Sequence, residues 1–267
     1  MKIDTRAVIE EGAQLGDEVE VGPFAVIGHQ VRVGNRTCIG SGVIMEGRVS
    51  IGSDCTIGHH AVIGTPPQDI SYRGDETEVI IGDETVLREF STVHRATGVG
   101  KSTCIGKKCF IMSYCHIAHN CQIGNEVIMA NNASLAGYVE VEDGATLSGF
   151  VGIHQFVRVG KLTMIGGLSK VVLDIPPYCL ADGHPARLFG QNVVGLKRRG
   201  FSRENREIIK KIYQILFKPG TTEEEALHNV AKEYPGVFAE EIISFIQKSR
   251  RGIARAVRET KRTSDVY

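Results

Sequence analysis

The sequence predicts a β-solenoid, a parallel β-helix of hexapeptide repeats, followed by a small all-α C-terminal domain. Three observations carry that expectation. An aliphatic residue recurs at every sixth position over two thirds of the chain, 31 glycines accompany only 6% aromatic residues, and the final third changes to helical spacing.

Cut into sixes from Ala7, the chain reads AVIEEG, AQLGDE, VEVGPF, AVIGHQ, VRVGNR and onward. The third position is aliphatic throughout (Ile9, Leu15, Val21, Ile27, Val33), the fourth is Gly in eight of the first ten hexads, and the first is small or β-branched. Apolar residues at i and i+2 followed by a turn-permissive residue fit the period of a strand and not that of a helix. At about 3.3 Å per residue a hexad is one short strand plus a corner. Glycine at the fourth position is expected to serve the unusual backbone of that corner. Stacked coils would bury the aliphatic column, giving a filled interior. The repeat breaks at 67–78 (PQDISYRGDETE) and resumes from Val79 through Asp174, so the hexads occupy a first domain at 1–184.

Residues 185–267 form the second domain. A Pro- and Gly-rich turn leads into FSRENREIIKKIYQILFKPG, where Ile208, Ile212, Ile215 and Leu216 have helical spacing between a Ser202 cap and Gly220. Thr221 and Thr222 precede Glu224 and Glu225 by three, a capping-box signature for a second helix, and Pro235-Gly236 separates it from a third, VFAEEIISFIQKSRRGIARAV.

Composition excludes several classes. Lys+Arg and Asp+Glu both number 31, and no apolar run approaches the roughly 18 residues of a membrane span, so stable membrane insertion is not expected. The opening MKIDTRAVIEEGA lacks the apolar core of a secretory signal, and seven scattered cysteines without a CxxC pair read as reduced thiols, which points to the cytoplasm. No nucleic-acid partner is expected. Neutrality hides an asymmetry, because residues 185–267 hold 17 Lys+Arg against 10 Asp+Glu. Lys197, Arg198, Arg199, Arg250, Arg251, Arg255 and Arg258 make that domain a candidate dock for an acidic partner, with a solvated basic face as the plain alternative.

Histidines mark the candidate site. The stretch IMSYCHIAHNC places His116 and His119 among outward positions, while His94 and His154 replace the fourth-position Gly. If a coil is 18 residues, His119, Gly137 and Gln155 stack one above another about 4.8 Å apart, aligning an imidazole, a bare amide and a carboxamide. Any one of these histidines alone would be an ordinary surface residue; several on one edge beside Gln155 argue for use. Zinc is the rival chemistry, but no metal site is expected, and Cys55, Cys109, Cys115 and Cys121 read as small core residues.

Dense [LIV]-G-x-x hexads resemble bacterial acyltransferases built on a left-handed β-helix with three hexads per coil. The strings VHRAT (93–97), HIAHNC (116–121), ANNASLAG (130–137), HQF (154–156), PPY (176–178) and GLKRRGFSRE (195–204) resemble the UDP-N-acetylglucosamine acyltransferase family, the first enzymes of lipid A synthesis. The resemblance covers nearly the whole chain. It implies transfer of a 3-hydroxyacyl chain from acyl carrier protein to the 3-position of UDP-N-acetylglucosamine, a homotrimer, and no cofactor beyond the carrier's phosphopantetheine thioester donor. His119 matches the general base, Gly137 the oxyanion amide, and Asn120 the residue that orients the base. Gln68, Asp69, His94, His116, His154 and Gln155 match substrate-contacting positions, and Arg198 and Arg199 match groups near the nucleotide phosphates or carrier. Gly167 matches an acyl-chain ruler, which implies chains of about 14 carbons, each buried methylene adding about 0.8 kcal/mol.

Three departures stand out: Asn120 where Asp is common, Tyr138 in place of a His, and Ser71 where a Lys is common. The alternatives are the same site acting on a UDP-3-amino sugar, a coenzyme A-dependent hexapeptide acetyltransferase, and a scaffold without activity.

Overall fold

The computed structural model describes residues 1–256. It is a left-handed parallel β-helix of three faces. Short strands, mostly two residues long, recur on each face in turn: face I begins with Lys2–Ile3, face II with Val8–Ile9 and face III with Gln14–Leu15. Registers of Glu20 with Cys38, Val26 with Ile44 and Arg32 with Ser50 set one coil at 18 residues. In the two-residue strands the second residue points inward, so on face II Ile27, Met45, Ile63, Val93, Ile117, Leu135 and Ile153 form a continuous buried column. Cys55, Cys109, Cys115 and Cys121 sit inside the same core, and burial pushes the Cys115 thiol up to about 11.

The corner geometry differs from the expectation at one point. The left-handed residue is the sixth of the hexad and is usually not glycine, as at Glu18 (φ 58°), Phe24 (60°) and Tyr114 (62°). Glycine at the fourth position answers crowding instead, since a β-carbon on Gly34 would lie 2.6 Å from the carbonyl carbon of Gly52 on the next coil.

Two segments leave the coil. The strand at Arg48–Ile51 pairs with Glu78–Ile81, so the first excursion is the expected one. The second was not expected, because TGVGKS (97–102) satisfies the hexad pattern. Thr92 pairs with His116, 24 residues on, so six residues between them are extruded, and Val99 is 78% exposed. An insertion of one hexad preserves the frame around it, which hides it from periodicity.

The solenoid ends in an antiparallel hairpin, Cys179–Gly183 with Ala186–Gln191, that continues face I across residue 184. Among the described residues four helices follow: α1 Val193–Arg198, α2 Arg203–Leu216, α3 Glu223–Glu233 and α4 Val237–Gln247. α1, absent from the sequence reading, is one short turn capped by Asn192, whose Oδ1 accepts from Gly195 N at 3.0 Å. Ser202 caps α2, and Thr222 with Glu225 closes the capping box of α3. α4 ends ten residues before the expected third segment does. Ser249 Oγ donates to Asp174 Oδ2 at 2.6 Å and Gly252 takes φ 80°, which turns the chain back onto the last coil. Arg258 lies outside the described residues.

Candidate active site

Face II carries the site. Its outward column runs His116, Ser134, Gly152, Lys170, each paired with the next, beside an open cleft of about 720 Å³. Gln68 and Asp69 on the first excursion, His116, His119, Gly137, His154 and Gln155 all line it.

His119 occupies the fifth position of its hexad, at the corner where face II turns into face III. Its ring lies over Gly137, one coil further on, so that a β-carbon there would sit 2.5 Å from Nε2 and Cε1. His119 Nδ1 is 2.9 Å from Asn120 Oδ1, which also accepts the Thr97 N–H at 2.9 Å, while Asn120 Nδ2 donates to Thr97 O at 3.0 Å. This pairing fixes which end of the amide is oxygen. His119 Nδ1 is therefore the donor, which in the neutral imidazole leaves Nε2, on the cleft side, as the nitrogen able to accept a proton.

Fifth-position amides differ from corner to corner. At several the amide is capped by a side chain from a neighbouring coil (Asp17 N by Asn35, Ser41 N by His59, Ser53 N by Asp83, Asn125 N by Asp143), whereas the His119 and Gln155 amides, on the same column as Gly137, carry no such cap among the described residues. Among the described residues the Gly137 N–H has no such acceptor and opens on the cleft. An uncapped backbone donor beside an unprotonated imidazole nitrogen is the arrangement acyl transfer needs, one group to take a proton and one to hold an oxyanion.

Burial favours the neutral form of two neighbouring histidines, His94 and His116. Burial pushes the His94 imidazole down to about 4, with His116 and His119 adding to the effect, and burial followed by His119 lowers His116. His116 Nδ1 lies 2.7 Å from Thr92 Oγ1, and its ring meets that of His94 edge-on at 5.1 Å. His94 itself stands behind the cleft wall with Nδ1 buried and unpartnered among the described residues. The Ser71 main-chain N–H and then its hydroxyl hold the Asp69 carboxyl below the usual range. No group of three or more His, Cys, Asp or Glu side chains among the described residues could hold a metal ion.

Three expected residues lie elsewhere. Arg199 pairs with Glu126 at the corner between faces III and I, with Arg198 beside it at the end of α1, across face I from the cleft. Gly167 stands at the corner between faces I and II, outside the lining. Two residues were missed. Lys170 is, among the described residues, the one lysine or arginine lining the cleft, legible as a second-position residue three coils above His116, and Thr97 is hidden in the second excursion.

Comparisons with known proteins agree with this architecture. Residues 174–254 match the family described as Udp N-acetylglucosamine O-acyltransferase, Domain 2, and residues 12–47 and 103–137 match Bacterial transferase hexapeptide (six repeats). The acyl-[acyl-carrier-protein]--UDP-N-acetylglucosamine O-acyltransferase of Thermodesulfovibrio yellowstonii is 48% identical over 258 residues, covering 95% of this chain and 99% of that protein. The protein of that name from Paraburkholderia phymatum is 44% identical over 263 residues, with the same coverage. The solved UDP-N-acetylglucosamine acyltransferase from Campylobacter jejuni superposes with a TM-score of 0.91 at 39% identity, covering 96% of this chain and 100% of that one.

Proposed function

This chain belongs to the UDP-N-acetylglucosamine O-acyltransferase family, and from that membership we propose that it transfers a 3-hydroxyacyl chain from acyl carrier protein to the 3-hydroxyl of UDP-N-acetylglucosamine, the step that opens lipid A synthesis. The observation that carries the mechanism is the pairing of the free His119 Nε2 with the uncapped Gly137 N–H.

His119 Nε2 removes the proton of the acceptor hydroxyl as its oxygen attacks the thioester carbonyl. The carbonyl oxygen becomes an oxyanion held by the Gly137 N–H. Collapse breaks the carbon–sulfur bond, and the imidazolium returns its proton to the departing phosphopantetheine thiolate, so the ester and a free thiol are the products. Asn120 holds His119 in the required tautomer. Gln68, Asp69, His116, His154 and Gln155 contact the substrates, and His94 backs His116 from behind. The thioester brings its own activation, so this route calls on no further cofactor.

The working enzyme is a homotrimer in this reading. Face I presents Phe110, Ile128 and Met164, the early part of face II presents Val8, Val26 and Ile44, and their shared corner exposes Phe24, Phe90, Tyr114 and Phe150. Face III instead presents Arg32, Gln122, Glu140 and Arg158. Turning the aromatic corner toward a threefold axis sets face I of one subunit against face II of the next. Arg198 and Arg199, at the outer edge of face I, then overlook the neighbour's cleft, where nucleotide phosphates or the carrier would lie.

The basic helical domain docks the acidic carrier. No helix among the described residues is long and apolar enough to cross a membrane, and the reaction is assigned to the cytoplasm. The mass of the product formed from UDP-N-acetylglucosamine and 3-hydroxyacyl carrier protein tests the reading. A singly acylated sugar nucleotide is expected, and transfer from acetyl coenzyme A or only to a 3-amino sugar would contradict it.

A further inference from the structure

Thr97, on the second excursion, touches both halves of the site. Its main-chain N–H donates to Asn120 Oδ1 at 2.9 Å, its carbonyl accepts from Asn120 Nδ2 at 3.0 Å, and its hydroxyl donates to Asp69 Oδ2 at 3.1 Å. Asn120 Oδ1 in turn accepts from His119. Neighbouring contacts hold this segment in place, with Gly98 N donating to Asp75 Oδ2 at 2.7 Å and Asn120 N accepted by Thr103 Oγ1 at 2.9 Å. We propose that Thr97 is a positioning residue that ties the loop carboxylate Asp69 to the base His119 through Asn120, and that this joint requires an amide at position 120. The inference rests on His119 being the base and Asp69 a contact for the sugar nucleotide.

The Asn120 side chain and the Thr97 peptide unit form a reciprocal amide pair, each giving one hydrogen bond and taking one. A carboxylate at 120 has no proton to give, so one of its oxygens would face the Thr97 carbonyl at about 3 Å with nothing between them. The base therefore takes its tautomer from a neutral partner. The titratable groups that face His119 are Asp69 from the first excursion, His94 and His116 from the ends of adjacent strands, and Tyr138 from the next corner, its ring edge-on at 5.3 Å. Of these only Asp69 carries negative charge, and Thr97 is the group that bonds to it on the side of the base. Any residue at 97 could supply the main-chain pair. Only a hydroxyl there reaches Asp69 as well.

The two halves separate by substitution in the full-length enzyme. Thr97→Val keeps the peptide pair and removes the hydroxyl. It should raise KM for UDP-N-acetylglucosamine about tenfold, the size of one hydrogen bond to a charged group, while Thr97→Ser restores it and the pH profile stays in place. Asn120→Asp should move the acidic limb of kcat/KM about one pH unit upward by adding charge beside the imidazole. Nitrogen-15 NMR of labelled histidine should show the His119 proton on Nδ1 in the wild type and moved to Nε2 in Asn120→Ala. A wild-type KM in Thr97→Val, an unmoved acidic limb in Asn120→Asp, or an unchanged tautomer in Asn120→Ala would overturn the proposal. Substantial activity in His119→Ala would instead overturn the assignment of the base.

Discussion

The imidazole of His119 lies over Gly137 so closely that a β-carbon on Gly137 would stand 2.5 Å from its Nε2. Two coils of the solenoid thus bring the proposed proton acceptor and the proposed oxyanion donor together with no room for a side chain between them.

Gly137→Ala tests that contact. The backbone at Gly137 is not in the left-handed region, so alanine fits the main chain, and the atom it strikes is a side chain rather than the next coil. The fold should survive while the imidazole is displaced. Displacement of about 1 Å commonly costs about 10²-fold in rate. Steady-state kinetics with an unchanged melting curve checks it, and near-normal kcat would show that the ring has slack.

Gly167→Met tests the ruler. A β-carbon there meets only Gly149 O at 3.4 Å and the Ser148 Cβ at 4.0 Å, so a longer side chain extends from the corner without disturbing the coil. Because Gly167 lies outside the cleft of its own chain, the effect in the proposed trimer depends on a groove completed by a neighbouring subunit. Donor preference should shift to shorter acyl chains, at about 0.8 kcal/mol per methylene excluded. An identical chain-length profile would remove Gly167 from that role.

The basic domain should steer the carrier. Arg199 pairs with Glu126 and Arg251 Nε bonds to Val172 O at 2.9 Å, so both are engaged structurally, whereas Arg250 and Arg255 are exposed. Arg250→Glu with Arg255→Glu should raise KM for the carrier-linked donor and spare that for the sugar nucleotide. Activity with the carrier donor should fall steeply as salt shortens the screening length from about 10 Å at 0.1 M to 3 Å at 1 M. A short neutral thioester showing the same salt dependence would assign the charge to another partner.

His94 should make stability depend on pH. Its imidazole, pushed down mainly by burial to about 4, stays neutral in the folded state, whereas the unfolded chain protonates it near the ordinary 6.5. The unfolded state therefore binds more protons between those values. Stability is complete above about pH 6.5 and declines toward pH 4, by up to about 3 kcal/mol from this group. Urea unfolding at pH 7 and pH 5 should show the decline, and His94→Gln should make it shallower. An equal slope in the variant would place the titration elsewhere.

Much of this molecule is legible in sequence because burial imposes a period. Ile9 through Val171 mark every coil, and Thr222 with Glu225 or Ser202 mark helix starts by side-chain bonds that span only three residues. What escaped notice has a physical reason in each case. The excursion at 97–102 has the length and pattern of a hexad, so only the exposure of Val99 betrays it. Crowding at the fourth-position glycines depends on the next coil, 18 residues away. The partners of Asn120 meet across 23 residues, and no local pattern joins Thr97 to Asp69. Arg198 and Arg199 match the family's strings but face away from the cleft of their own chain, because the site is divided between subunits in our reading.

The central claim is that His119 removes the acceptor proton. Single-turnover rates of acyl transfer for wild type and His119→Ala, at saturating donor and acceptor, test it most directly. Loss of a general base commonly costs 10²- to 10⁴-fold, and an outward corner residue contributes little to the core, so the rate should fall by about that factor with melting unchanged. Retention of more than about a tenth of the wild-type rate would contradict the claim and move the search for the base to His116 or His154.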